Sequence, residues 1–593
     1  MELSTSGTAD QRLVEYGLTL RATGPVSVKL QKLMLDIEIR CPDSVTSRWQ
    51  WYRNGWQSWS HAGMIRSAAP AFSAPVHEFM YRMKENPAIP RQNAAWISDM
   101  VTVLVHGQEA LLVGACNQQF FQEIEVRPEV DSIRLTLSTL LDGIPLSPGC
   151  TRNVGGWQIQ SSRDPEALLE EWGRRVGRIQ ARQKQVLGWC SWYERKTRID
   201  MPFLQQVMKT IRSRSALKSI RLFQVDDGYQ HQVGDWLTPH PRFRGSLQPL
   251  GQSIVSAGFE AGLWVSPFIA QSQSRLLKDH PDWFLRCNGA LVKAGWNPHW
   301  KGAYYPLDVT HPQVLPWLTD LFSTLRSFGF TFFKLDYLYP ACMTGDRHDP
   351  SVGRFEAFQN AIRVIRDACG PGSFLLGCGA PLAPSNGLFD AMRISCDTEY
   401  QWKNPWWLRL ITGETETIGI YPSARNTLTR NLWARSMWGQ DPDCLLIRKR
   451  NDSLALSAID LYSQLCLLLG EMVLVGDDVT RWSDADFQRF ESLIPLLAGE
   501  FRALDCLRQS PPRWFRCQQD DQTLVGLVNL EDGPVDASID LSLCLPRQHG
   551  GISVDCLLPL GAGNWRAQDC RLSVDRVPAR SLQLFRVQEG DIQ

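Results

Sequence analysis

Three rhythms of apolar and polar positions follow one another along the chain. Up to about residue 160, short apolar or alternating runs such as Val26–Leu30, Val101–Val105 and Ile133–Leu137 are broken by Gly, Pro and Asp, the pattern of antiparallel sheet. From about 185 the unit becomes an apolar run, a Gly or Asp where it stops, and then a helical stretch. The strand candidates are Val186–Ser191, Arg221–Asp226, Ala261–Phe268, Thr331–Asp336, Ser373–Cys378, Arg393–Asp397, Cys444–Ile447 and Met472–Gly476. Between them, segments such as Pro202–Arg214 and Leu315–Phe328 repeat apolar positions at three- and four-residue steps, as a helix lying on a sheet requires. Eight strands alternating with helices predict a (β/α)₈ TIM barrel. After about 505 short strands return, at Thr523–Leu530, Ala537–Leu541 and Ser581–Phe585. The expected α/β chain is therefore an N-terminal β-sandwich with its linker over 1–180, the barrel over 181–504, and a small C-terminal β-sandwich over 505–593.

The polar residues that end these strands carry the candidate chemistry, because a barrel gathers its functional groups at the carboxyl ends of its strands. Asp336 and Asp397 each close a strand-like run, sixty-one residues apart. Two such carboxyls suggest glycoside hydrolysis, one ionised to attack the anomeric carbon and the other protonated to release the leaving group. Lys334 lies two residues before Asp336, on the same side of its strand, and is expected to hold that carboxylate ionised; the plainer alternative is a buried ion pair without chemistry. Arg393 lies four residues before Asp397 on the same side of its strand, and that aspartate is expected to stay protonated at rest. Asp226 and Asp227 are adjacent carboxylates at a strand end that need hydroxyls, a metal or cations as partners, unless they simply form an Asp-Gly turn with Gly228. Trp189, Trp192, Trp264, Tyr337, Trp402, Trp406 and Trp407 gather around the same segments; flat faces stack on pyranose rings, although many of the 23 tryptophans must also serve as core.

Composition narrows the partners. Lys plus Arg equals Asp plus Glu at 62 each, so no net field favours nucleic acid or an anionic membrane, and a neutral substrate fits better. Sixteen cysteines are scattered from Cys41 to Cys570 without a Cys-x-x-Cys pair, which argues against a zinc ribbon or a thioredoxin-type motif. No apolar run approaches the length of a membrane span, and the N-terminus lacks a basic start followed by an apolar core. A cytoplasmic protein with reduced thiols is the expectation.

The ordered segments Gly188-Trp189-Cys190-Ser191-Trp192, Gln224-Val225-Asp226-Asp227-Gly228, Gly262-Leu263-Trp264, Lys334-Leu335-Asp336 and Arg393-Ile394-Ser395-Cys396-Asp397, with Asn54-Gly55-Trp56-Gln57-Ser58-Trp59-Ser60 ahead of them, resemble glycoside hydrolase family 36, which contains α-galactosidases and relatives of the melibiase-type clan. The resemblance implies a retaining hydrolase of terminal α-galactosides acting through a covalent glycosyl-aspartate, with no cofactor and no metal, and a possible homo-oligomer. It matches Asp336 to the nucleophile and Asp397 to the acid/base. By the same matching Asp226 and Asp227 hold O4 and O6 of the sugar, Lys334 and Arg393 hold ring hydroxyls near the chemistry, and Cys378, Trp189, Trp264 and Trp56 contribute to the pocket.

Two departures border that pocket. The strand-three segment Gly262–Phe268 lacks the glutamate of a typical Gly-Leu-Trp-Phe-Glu-Pro, and Gly377–Leu382 lacks the usual glycine-rich string. Both bear on the glycone more than on the mechanism, and leave an α-N-acetylgalactosaminidase, another α-glycosidase or a transglycosylase of the same clan as alternatives. A sugar-binding protein without chemistry is a further reading, and so is a metal-dependent hydrolase using Asp226, Asp227 and a histidine. The chain has ten histidines, none in a His-x-His or His-Glu-x-x-His arrangement.

Overall fold

The computed structural model describes the whole chain except residues 10–11, 41–48, 67–77, 117, 130, 180–184, 244, 413–415, 451–453, 498, 520–521, 546–551, 559–563 and 590–593. The expected boundary between linker and barrel, at 180/181, lies outside the described residues, as does Cys41.

The apolar runs of the middle segment form one parallel sheet. Val186–Cys190, Leu222–Val225, Glu260–Val265, Phe330–Leu335, Phe374–Gly377 and Ala391–Arg393 pair in chain order, and Met472–Val475 pairs back onto the first of them. The seventh strand closes the cylinder in two pieces. Gly439–Asp441 pairs with strand six and Cys444–Leu445 with strand eight, and the break falls at Pro442 and Asp443, the latter at φ +98°. The hydrophobic pattern showed only the second piece, because Gly439-Gln440-Asp441 carries no apolar run.

Helices cover the sheet through their apolar stripes. In Met201–Ser213 the side chain of Asp200 caps the N-terminus by accepting from Phe203 N, Pro202 occupies the first turn, and Phe203, Leu204, Val207, Met208 and Ile211 are buried. That spacing puts all five on one face, and each contributes about 1.5–3 kcal/mol by leaving water.

The flanking units are built as sheet on sheet. A seven-stranded and a four-stranded antiparallel sheet enclose a core that includes Leu20, Trp51, Leu104, Val113, Ile124, Leu135 and Trp157. At the other end, a five-stranded and a three-stranded sheet pack around Trp514, Val525, Leu527, Leu572, Val574 and Phe585. The first strand of that unit is Glu500–Ala503, a few residues ahead of the 505 boundary expected from composition. Among the described residues no helix is long and apolar enough to cross a membrane.

Candidate active site

The carboxyl ends of the barrel strands open into one cavity, lined among others by Asp226, Asp227, Trp264, Lys334, Asp336 and Asp397. Asp336 follows the last residue of strand four, and its backbone N–H still donates to Val265 O (2.9 Å), which fixes its direction. Its carboxyl accepts from Trp264 Nε1 (3.0 Å) on one oxygen and from Tyr337 N (2.7 Å) on the other. Both partners are N–H donors, the kind a carboxylate accepts. Gly379 of the neighbouring strand approaches so closely that a Cβ there would stand 3.1 Å from Asp336 Oδ1, and it adopts φ +54°; both features call for glycine.

Lys334 does not hold Asp336, contrary to the expectation from their spacing. Its ammonium turns to Asp226 Oδ2 (2.9 Å), which also accepts from Gln224 Nε2 (2.9 Å) and the Cys190 thiol (3.5 Å). The barrel brings strands two and four within reach of each other, and a doubly buried pair is better matched there than a pair on one strand. Burial opposes the charge of Asp226, but Lys334 and Gln224 outweigh it and hold the carboxyl below its ordinary range. Asp227 is pushed up to about 6, by burial first and by the charges of Asp226 and Asp336, against the opposing hydrogen bonds from Gln230 (2.6 Å) and Trp300 Nε1 (2.7 Å).

Asp397 lies four residues beyond the short strand Ala391–Arg393. One oxygen accepts from Arg393 Nη1 (3.1 Å), and the side chain keeps 23% of its surface open. Its carboxyl is pushed up to about 7, by burial first and then by the charge of Asp443, with Arg393 and Lys334 opposing and Asp336 adding a smaller push. Arg393 itself is buried and faces two further carboxylates, Asp441 (3.0 Å) and Asp443 (2.8 Å).

Two insertions wall the cavity. After strand three, a small sheet of Ile269–Gln271, Gly295–Asn297 and Gly302–Pro306 carries Asn297 and Trp300 to the mouth. From the N-terminal sandwich, the turn between Gln50–Asn54 and Ala62–Arg66 presents Gln57 and Trp59. That turn is clamped by Arg430 of the helix Ile420–Ala434, a fully buried guanidinium that donates to Gln57 O (3.0 Å), Ser60 O (3.0 Å), Asn54 Oδ1 (3.3 Å), Ser58 O and, on the barrel side, Ile394 O (2.7 Å). All five acceptors are neutral, and burial lowers its pKa to about 10. Asn426 adds a hydrogen bond to Ser60 O (3.0 Å).

Comparison with known proteins agrees with this geometry. A profile of the Melibiase family matches residues 181–352. Alpha-galactosidase C of Emericella nidulans is 27% identical over 212 residues, 32% of this chain and 26% of that protein. The solved alpha-galactosidase of Thermus thermophilus, in complex with p-nitrophenyl alpha-D-galactopyranoside, superposes with a TM-score of 0.66 at 26% identity, covering 85% of this chain and 95% of that one. The GH36 alpha-galactosidase AgaA of Geobacillus stearothermophilus is 26% identical over 142 residues, 23% of this chain and 19% of that protein; its crystal structure gives a TM-score of 0.63 over 99% of this chain and 81% of that one, at 13% identity. Over residues 181–352 the chain resembles the Melibiase family, and the relatives it matches are alpha-galactosidases. Its aligned stretches span about a quarter or less of the length of these curated relatives.

Of the expected residues, the cavity brings together Asp226, Asp227, Trp264, Lys334, Asp336 and Asp397. Four other expected residues do not line it. Trp189 alternates with Cys190 along strand one; it faces the helix layer, stacks on Phe223 at 4.6 Å and donates its indole N–H to Asp477 O (2.7 Å). Trp56 is buried between Phe121 and Tyr339, and its neighbours Gln57 and Trp59 reach the cavity instead. Cys378 is buried with its N–H on Leu335 O (2.7 Å), leaving Gly379 to line the cavity. Arg393 sits behind Asp397, engaged by carboxylates. Residues the sequence reading missed include Asn297, Trp300, Tyr339, Gln57 and Met83. The aromatic spacing of Trp296, Trp300, Tyr304 and Tyr305 was the one available signal for the insertion.

Proposed function

We propose that this protein hydrolyses terminal α-galactosides with retention of configuration, Asp336 attacking the anomeric carbon and Asp397 serving as acid and then base. The observation that carries the reading is the division between two carboxyls on one cavity: Asp336 accepts two N–H donors, while Asp397 is pushed up to about 7. A nucleophile must be ionised and a proton donor must keep its proton, so the environments suit the roles. Asp336 forms a glycosyl ester as Asp397 protonates the departing oxygen; Asp397 then takes a proton from water, which opens the ester. Asp226, Asp227 and Lys334 supply acceptors and a donor for sugar hydroxyls, and Trp264 a face beside the nucleophile. Alpha-galactosidase relatives bound to stachyose and to an aryl galactoside support an α-galactoside as substrate. The cysteines among the described residues are free thiols, which suits a cytoplasmic location.

Turnover of aryl α-galactosides tests the assignment. Asp336→Gly should lose at least about a thousandfold in kcat, and azide should restore it with formation of the inverted β-galactosyl azide. Asp397→Ala should lose most on poor leaving groups, which depend on the proton. Normal turnover by Asp336→Asn would end the reading.

A further inference from the structure

The Asp441-Pro442-Asp443 break in strand seven is unused by the mechanism above, yet both of its carboxylates point at Arg393. One guanidinium thus serves three acids: Asp397 at 3.1 Å, Asp441 at 3.0 Å and Asp443 at 2.8 Å. The three are not equivalent. Asp443 also accepts from Thr398 N (2.8 Å), Thr398 Oγ1 (2.9 Å) and Tyr193 Oη, and Asp441 Oδ1 accepts from Asp443 N (2.9 Å). These donors fix both carboxyls in place. Among the described residues Asp397 has no side-chain donor comparable to these beyond the one Arg393 contact, and it is the acid that opens to the cavity.

We infer that Asp443, with Asp441 beside it, is a positioning residue: it engages the charge of Arg393 so that the guanidinium orients Asp397 without holding it ionised, leaving that carboxyl free to carry a proton at neutral pH. Residues two apart along a strand share a face, and with the break after Asp441 both 441 and 443 reach one guanidinium while strand eight is also paired. The other groups around Asp397 come from four more elements: Lys334, Asp336 and Tyr337 from strand four and its end, Cys378 from strand five, Tyr193 from the helix after strand one, and Cys396 from its own segment. None of these contacts Arg393 as an ionised partner.

The inference rests on Asp397 as the acid/base, and the pH dependence of kcat/KM for an α-galactoside with a poor leaving group tests it. Asp443→Asn keeps an oxygen for Thr398 but frees Arg393 to act on Asp397. The basic limb should move to lower pH by about one unit or more, so that the loss relative to the unsubstituted protein is about tenfold greater at pH 8 than at pH 5. A dinitrophenyl galactoside, which leaves without a proton, should show no such shift. A loss of equal size at every pH, or a limb that stays or moves upward, would overturn the proposal. If Asp443→Asn does not fold, Asp441→Asn carries the same prediction and the same refutation. Absence of turnover by the unsubstituted protein at any pH would instead refute the hydrolase reading, and this inference with it.

Discussion

Replacing Trp300 by Phe removes one N–H donor from Asp227 and leaves the ring in place against Tyr337, whose centroid lies 5.0 Å away. A hydrogen bond to a charged acceptor contributes about 1.5–3 kcal/mol, which corresponds to about one to two pH units. Asp227, pushed up to about 6 in the intact site, should therefore titrate at about 7–8 in the variant. At pH 7 its ionised fraction falls from about nine-tenths to between about a half and a tenth. The sign for stability follows from the same shift. The unfolded carboxyl, near 3.8, releases its proton before the folded one, so stability declines between about pH 4 and pH 6 and is then constant. In Trp300→Phe the decline continues to about pH 8, an additional cost of about 1.5–3 kcal/mol that is absent at pH 5. Two measurements check this. Thermal unfolding of the two proteins should nearly coincide at pH 5 and separate by several degrees at pH 8, and the acid limb of kcat/KM should move upward by about one to two units in the variant. A constant difference in unfolding temperature across that range, or an unmoved acid limb, would refute the role given to the indole N–H.

Two other positions test how the walls are held. Arg430→Met removes a charged donor from five buried neutral acceptors and should cost about 3 kcal/mol or more, seen in urea unfolding, together with a raised KM as the Gln57–Trp59 wall loosens; a stable variant with unchanged KM would show that the turn is held by other contacts. Gly379→Ala introduces a Cβ 3.1 Å from Asp336 Oδ1 at φ +54°. It should cost about 1–2 kcal/mol in the backbone alone, and lower kcat more than it raises KM by displacing the carboxylate; a change confined to stability would detach Gly379 from the chemistry.

The alternation of apolar runs and helical stripes made the barrel legible, because strand and helix periods are local properties of the chain. The strand-end acids were legible for a related reason: once the strands are parallel and closed, every carboxyl terminus shares one face. What could not be read is what depends on neighbours distant in sequence. Lys334 chose Asp226, 108 residues away, over Asp336. Arg430 found the carbonyl of Gln57 across 373 residues, and nothing in either local pattern predicts that a buried guanidinium would close on bare carbonyl oxygens. Family resemblance placed Trp189, Trp56 and Cys378 at the pocket, but which way a side chain points changes from one residue to the next, and here Gly379, one residue on, and Trp192 and Trp59, each three residues on, line the cavity.

By itself, then, the amino-acid order determined the layer architecture, the number of barrel strands and the pair of acids that follow two of them, since each follows from periodicity and from polar residues placed where apolar runs stop. Tertiary structure alone decided which acid has its pKa raised by its surroundings, which cation pairs with which carboxylate, and which aromatic rings reach the cavity. These depend on burial and on charges a few ångströms away in space, quantities the barrel creates only when strand eight pairs with strand one and the broken seventh joins strand six to strand eight.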